Sequence, residues 1–338
     1  MKLYKILFFV SMMIGTLISI SSMSWMGMWM GLEINLLSII PLMNSNKNLF
    51  ASEASLKYFI TQALASTILL FSIILSLNYT SILIHNMPNE GVNLIFNSAL
   101  LTKMGAAPFH FWFPEIIDGL SWLNCLIMLS WQKIAPMVIL MFNINYPLFF
   151  MMIIIMCMLI SGTLGFNQTS IRKIMAYSSI NHIGWLLASM FTIESIWLIY
   201  FLTYTIILIN IIMIFNLLNI FYFKQLIIAM NNNIEIKFFF VMNFLSLGGL
   251  PPFLGFMPKW LTIETLIESK FIILTLIMVI LTLLTLYLYV RLMFSTLTIN
   301  LNEINFIPNL NSNQFMIFLS NFISISGLLS CSILFNLT

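Results

Sequence analysis

From residue 3 to residue 335 the chain is a succession of apolar runs of about 20 residues, each broken by a few polar or charged positions. At 1.5 Å per residue such a run is about 30 Å long, the thickness of a bilayer's hydrocarbon core. In lipid every backbone amide and carbonyl must be satisfied internally, which restricts spanning elements to helices and closed barrels. These runs are continuous and lack the ten-residue alternation of a barrel strand, so they predict an all-α polytopic membrane protein. Composition closes off the soluble alternative. The chain is 61% hydrophobic and 7% charged, against about 45–50% and about 25% in a soluble domain.

The polar breaks predict eleven transmembrane helices, near residues 3–21, 24–43, 56–77, 91–113, 121–142, 147–165, 170–190, 194–222, 236–263, 271–296 and 314–335. The opening MKLYKILFFVSMMIGTLISIS has a signal peptide's charge and apolar run, but the run is long and no A-x-A pattern follows. It is read as the first span. Of thirteen Lys and Arg, three lie within spans: Lys103, Lys133 and Lys259. Nine of the other ten (Lys2, Lys5, Lys47, Lys57, Arg172, Lys173, Lys224, Lys237 and Arg291) fall at one face, and Lys270 alone at the other. By the positive-inside rule this split supports an odd span count with the amino terminus on the positive side.

The longest polar connections, such as Asn300 to Asn313, are too short for a soluble core. Residues 1–338 therefore form a single membrane domain. Cys125, Cys157 and Cys331 are far apart and form no CxxC, which argues against iron–sulfur or zinc ligation. Neither GxGxxG after a strand nor GxxxxGK[ST] is present, so nucleotide chemistry is not expected on this chain. The abundance of Met, Phe, Ile and Asn over Gly and Pro is the bias of an AT-rich coding sequence and points to an organelle-encoded protein.

Charges in the middle of spans need a reason. Lys103 is about eleven residues from either end of its expected span, roughly 16 Å, too deep to snorkel. Lys133 and Glu33 are placed in the same way, and Lys259 is deep in a span interrupted by Pro251, Pro252 and Pro258. Each costs about 2.5–3.5 kcal/mol on the insertion scale if unpaired. A static ion pair could cover Glu33 with one lysine but not the other two. Desolvation favours a neutral amine, and a lysine that can be neutral can also take up and release a proton.

The breakers sit beside these lysines. Pro108 removes the amide that would bond the Met104 carbonyl, and Pro251 and Pro252 do the same for Leu247 and Gly248. Backbone groups freed at membrane depth must be satisfied by protein or water, so both helices should border a hydrated cavity. The two interrupted spans, the fourth and the ninth, are five places apart and cross in opposite directions, as in an inverted repeat. Residues of about 1–142 would form the first repeat, with broken helix 91–113. About 147–296 would form the second, with broken helix 236–263, and 314–335 a final helix.

His110 follows Lys103 by seven residues, the same face of a continuous helix. His182 lies in SSINHIGW, where Ser178, Ser179 and Asn181 could hold water. Each histidine is read either as a packing residue or as a proton relay. Trp112, Trp122, Trp197 and Trp260 fall near expected span ends, as interfacial aromatics do.

In order, KMGAAPFHFWFPE, WQKIAP, RKIMAYSSINHIGW and FLSLGGLPPFLGFMPKW resemble the antiporter-like membrane subunits of respiratory complex I, from about Trp29 to Trp260. Full-length members have fourteen spans; this chain resembles the shortened animal type that lacks the first three. The resemblance implies that Glu33 pairs with Lys103, the lysine of the first broken helix. It makes Lys133 the connecting lysine, Lys259 the charged residue of the second broken helix, and His110 and His182 hydrated relay points.

The resemblance also implies a core membrane-arm subunit that moves protons as electrons pass from NADH to ubiquinone. No cofactor is expected on this chain; NADH, FMN, Fe–S clusters and ubiquinone would bind other subunits. Partners would be neighbouring antiporter-like and small membrane-arm subunits and membrane lipid, with cardiolipin the expected one; nucleic acid is not a partner. The location would be the mitochondrial inner membrane, amino terminus in the matrix and carboxyl terminus in the intermembrane space. The alternatives are a stand-alone monovalent cation/proton antiporter, which the excess of in-span lysine over carboxylate disfavours, and a structural spacer, which leaves Lys133 and Lys259 unexplained.

Overall fold

A computed structural model describes residues 3–44, 48–79, 90–231, 234–251, 253–299 and 321–322. The described residues are almost wholly helical, with an isolated antiparallel bridge between Ser170 and Tyr222. The chain divides into two compact units, Met1–Pro147 and Leu148–Thr338. Seven helical stretches among the described residues are long and apolar enough to cross a membrane.

The first unit contains α1 (Leu3–Ser21), α2 (Trp25–Met43), α3 (Leu49–Tyr79), α4 (Glu90–Met104), α5 (Trp112–Gly119), α6 (Trp122–Leu129) and α7 (Trp131–Met141). Ser24 caps α2, its side chain accepting from the Gly27 amide at 3.2 Å. Small residues then let α2 lie directly on α1. A Cβ on Gly31 would stand 2.5 Å from the Ser19 nitrogen, and one on Gly15 would stand 2.9 Å from that of Asn35. This close approach, an arrangement that small residues favour between membrane helices, fixes the depth of Glu33 and Asn35. α7 packs against α1, α2 and α4, and α3 against α2, α4 and α5. Asn143, just past α7, donates to Asn93 at 3.0 Å and Asn97 at 3.3 Å, tying the start of α4 to the end of α7.

The second unit contains α8 (Pro147–Gly165, its first residue just before the boundary), α9 (Ile171–Met190), α10 (Glu194–Leu218), α11 (Phe223–Asn231), α12 (Ile234–Gly248), α13 (Phe256–Glu268) and α14 (Ile272–Thr298). α9 is the exception among the long helices: every residue from Ile174 to Met190 is buried. Because α9 faces protein on all sides, it can carry Ser178, Ser179, Asn181 and His182 without exposing them to lipid. α10, α13 and α14 pack around it.

Several expected spans differ in detail. The span expected at 56–77 starts at Leu49, where Glu53 and Lys57 pair one turn apart at 3.1 Å. The span at 121–142 is divided at Ser130, whose hydroxyl bonds back to the Leu126 carbonyl at 2.6 Å. The span at 194–222 ends at Leu218 because Asn219 turns left-handed, with φ of 50°. The nine-residue α11 follows, too short to register as an apolar run. The runs at 91–113 and 236–263 each stop partway, after Met104 and Gly248, and resume as α5 and α13. The final expected helix, 314–335, lies outside the described residues apart from Asn321 and Phe322.

Candidate functional site

Met104 ends α4 because Gly105 takes a left-handed φ of 76°, a conformation glycine adopts at no steric cost. The Gly105 amide reaches the Thr102 carbonyl at 3.2 Å and the Ala106 amide reaches Leu101 at 3.0 Å, the paired bonds of a Schellman stop. Two carbonyls of the last turn also take side-chain donors, Thr102 as a second bond and Lys103 as its side-chain bond. Trp112 Nε1 donates to the Thr102 carbonyl at 3.1 Å, and Gln62 Nε2 donates to the Lys103 carbonyl at 3.4 Å. Trp112, expected at a membrane interface, thus helps close the break. Trp122 and Trp197 are buried in protein, and Trp260 is half exposed.

Lys103, 7% exposed, lines a small cavity together with Asn35, Tyr58, Gln62 and Gln132. Asn35 and Gln132 exchange amide hydrogen bonds at 3.1 and 2.9 Å, and the Tyr58 hydroxyl donates to Gln132 Oε1 at 3.4 Å. Glu33, on α2, is partly buried, and its Oε1 has no hydrogen-bond partner among the described residues. The two ion pairs among the described residues both belong to exposed Lys57, with Glu53 at 3.1 Å and Glu115 at 3.0 Å. Glu33 and Lys103, which the resemblance pairs, therefore form no contact ion pair among the described residues.

Lys133, next in sequence to Gln132, is 1% exposed and lies 5.7 Å from the Phe113 ring centroid. His110 does not share a helical face with Lys103, because the break at Gly105 separates them. Its ring is buried against Phe111, with Nδ1 at 3.3 Å from the Pro108 carbonyl and Nε2 unpartnered among the described residues.

The second unit repeats the stop. Gly249 also has φ of 76°, its amide reaches the Ser246 carbonyl at 3.0 Å, and the Leu250 amide reaches Leu245 at 3.3 Å. Here the lysine itself completes the turn. Lys259 Nζ donates to the Gly248 carbonyl at 2.9 Å and to Leu247 at 3.3 Å. These are the two carbonyls that the Pro251–Pro252 pair leaves without an amide. The amine sits where the helix dipole is negative, 5.8 Å from the Trp185 ring centroid.

His182, on the same face of α9 as Trp185, has Nδ1 at 2.9 Å from the Tyr200 hydroxyl and its ring centroid 4.7 Å from that of Tyr204. Tyr289 is also buried, and Asn181 donates to Thr285 at 3.3 Å. The Ser178 and Ser179 hydroxyls, expected to hold water, donate to their own helix's carbonyls, each at 2.7 Å.

Sequence reasoning passed over Asn35, Tyr58, Gln62, Gln132, Tyr200, Tyr204 and Tyr289. The available signal was the presence of amides and paired tyrosines, such as Tyr200 and Tyr204 one turn apart, inside apolar runs. It also passed over a second match. Gly105-x-x-Pro108-Phe109-x-x-Trp112-x-Pro114-Glu115 aligns with Gly249-x-x-Pro252-Phe253-x-x-Phe256-x-Pro258-Lys259. In that register Lys259 corresponds to Glu115, and Lys103 to Leu247. Among the described residues no three His, Cys, Asp or Glu side chains come together as a metal site requires.

A helical membrane protein with lysines buried at glycine stops has clear relatives. The family described as NADH:quinone oxidoreductase/Mrp antiporter, TM matches residues 22–285. NADH-ubiquinone oxidoreductase chain 2 of Anopheles gambiae is 50% identical over 340 residues, covering 99% of this chain and 98% of that one. Among solved structures, respiratory complex I from Thermus thermophilus with bound aureothin contains a chain that matches with a TM-score of 0.87 at 21% identity. The match covers 97% of this chain and 79% of that one. The Mrp complex from Dietzia sp. DQ12-45-1b matches with a TM-score of 0.70 at 18% identity, covering 84% and 59%. The chain belongs to this antiporter-like membrane family and, within it, to the NADH-ubiquinone oxidoreductase chain 2 proteins.

Proposed function

We propose that Lys103, Lys133 and Lys259 carry protons across the membrane in NADH:ubiquinone oxidoreductase, with this chain as a core membrane-arm subunit. The near full-length relation to chain 2 proteins favours this over a stand-alone cation/proton antiporter. The observation that carries the lysine assignment is the burial of all three, with Lys103 beside polar side chains and Lys259 on backbone carbonyls, neither touching a carboxylate among the described residues. An amine held this way is neither fixed in an ion pair nor exposed to bulk water, so it can gain and lose a proton.

In this reading a proton charges Lys103 or Lys133 and passes to Lys259. Glu33 sets how readily Lys103 holds its charge, since a nearby carboxylate favours the ammonium form, and His110 and His182 are relay points. α4 with α5, and α12 with α13, are the two discontinuous helices of an inverted repeat within an eleven-span fold. The chain sits in the mitochondrial inner membrane with its amino terminus in the matrix, against other antiporter-like and small subunits and cardiolipin. NADH, FMN, Fe–S clusters and ubiquinone bind elsewhere in the complex, and redox energy arrives from there.

The test is proton pumping and NADH oxidation in membranes carrying Lys103→Ala or Lys133→Ala in assembled complex. Both activities are expected to fall while oxidation by the peripheral arm with an artificial acceptor survives. Unchanged pumping would make these lysines structural and overturn the reading.

A further inference from the structure

The cavity beside Lys103 has a free volume of about 10 Å³, the space one water molecule needs, and its lining is polar enough to hold one. The Asn35–Gln132 exchange uses a donor and the acceptor of each amide, which locks both planes. Tyr58 spends its proton on Gln132 Oε1 and keeps its oxygen lone pairs. Gln62 spends a donor on the Lys103 carbonyl and keeps its own carbonyl oxygen. Tyr58 and Gln62, each with an acceptor to spare, and Lys103 therefore line one space that three helices, α2, α3 and α7, form around α4. A structural clamp between α2 and α7 would need only the amide pair. It would not need Tyr58, Gln62 and a lysine arranged around a water-sized gap.

We propose that this cavity is a single-water site from which Lys103 takes its proton, with Tyr58, Gln62, Asn35 and Gln132 as its positioning residues. A proton reaching the water makes hydronium. Hydronium gives one of its three protons to the neutral Lys103 amine, leaving ammonium and the original water. The amide pair and Tyr58 are unchanged by the step. The charged or titratable groups around the site are Glu33 on α2, Tyr58 on α3, Lys103 on α4 and Lys133 on α7. The inference rests on the proton-carrying role of Lys103 proposed above.

Two measurements test it in the intact complex. In a map that shows other buried waters, density for one water within hydrogen-bond distance of Lys103 Nζ and Tyr58 Oη is expected; a cavity filled by a side chain would sink the proposal. In membranes, Tyr58→Phe and Gln62→Leu are compared with Lys103→Ala. Each is expected to lower the pumping rate roughly 2- to 10-fold, the range for one lost hydrogen bond, and to raise the solvent deuterium isotope effect on pumping. A purely structural role would reduce the amount of assembled complex without moving the isotope effect. If Lys103→Ala abolishes pumping while both variants leave rate and isotope effect unchanged, the water site alone is wrong. If pumping survives Lys103→Ala, the lysine reading itself falls.

Discussion

The two helix breaks share a turn and differ in what completes it. At Gly105 and at Gly249 the chain adopts the same left-handed conformation and the same pair of backbone bonds. In the first break a neutral group, Gln62, takes the Lys103 carbonyl, Trp112 adds a second bond to the Thr102 carbonyl, and Lys103 lines the polar cavity. In the second, Lys259 takes the leftover carbonyls itself. One stop, used twice, thus yields a lysine whose amine is independent of the backbone and a lysine whose amine is part of it. The aligned motifs explain how: Lys103 precedes its glycine by two residues, and Lys259 follows its glycine by ten.

Removing the amines should show this difference most strongly. Lys259→Met leaves two carbonyls without their donor, a cost of about 1–3 kcal/mol for each buried group left unsatisfied. Lys103→Met leaves the backbone bonds of its break intact. Thermal stability of the assembled complex should therefore drop for the first variant and change much less for the second. Equal drops would mean that Lys259 is no more a cap than Lys103.

A methyl group at each stop separates the two breaks more finely. Gly105→Ala and Gly249→Ala share a left-handed backbone cost of about 1–2 kcal/mol. Only at Gly249 would the new Cβ meet the lysine, 2.6 Å from Cδ and 2.9 Å from Nζ of Lys259; at Gly105 it meets the Phe113 ring at 3.1 Å. Pumping per assembled complex should fall further for Gly249→Ala, and a reversed order would break the comparison.

Smaller effects follow at the periphery. Trp112→Phe removes one hydrogen bond to the Thr102 carbonyl and should destabilise the first unit by about 0.5–1.5 kcal/mol, read as a modest fall in melting temperature. Lys57→Ala, which removes two exposed ion pairs, should leave pumping and stability unchanged within error. A pumping defect there would assign Lys57 a role this structure does not give it.

Much of the membrane architecture was legible in one dimension, because the length of an apolar run and the depth of a charge within it are properties of sequence alone. α1 and α8 match their expected bounds, and the buried positions of Lys103, Lys133 and Lys259 follow from the same reasoning. The carbonyls of Leu247 and Gly248 were legible too, since a proline's missing amide identifies its lost partner. The Asn35–Gln132 pair was not, because its members are 97 positions apart and no local pattern pairs them. His110 was misjudged for the opposite reason. Seven-residue spacing carries a helical face only while the helix continues, and Gly105 ends it.

The sequence by itself determined a helical membrane protein, the depth of its buried lysines and the positions where its helices must stop. Those follow from hydrophobic length, charge cost and the backbone chemistry of glycine and proline. Only the tertiary structure decided that Lys259 would cap its own break while Gln62 supplied the side-chain donor to the Lys103 carbonyl at the other. The reason is physical: a freed carbonyl accepts whichever donor packing brings within 3.5 Å, and packing joins residues that the sequence keeps far apart.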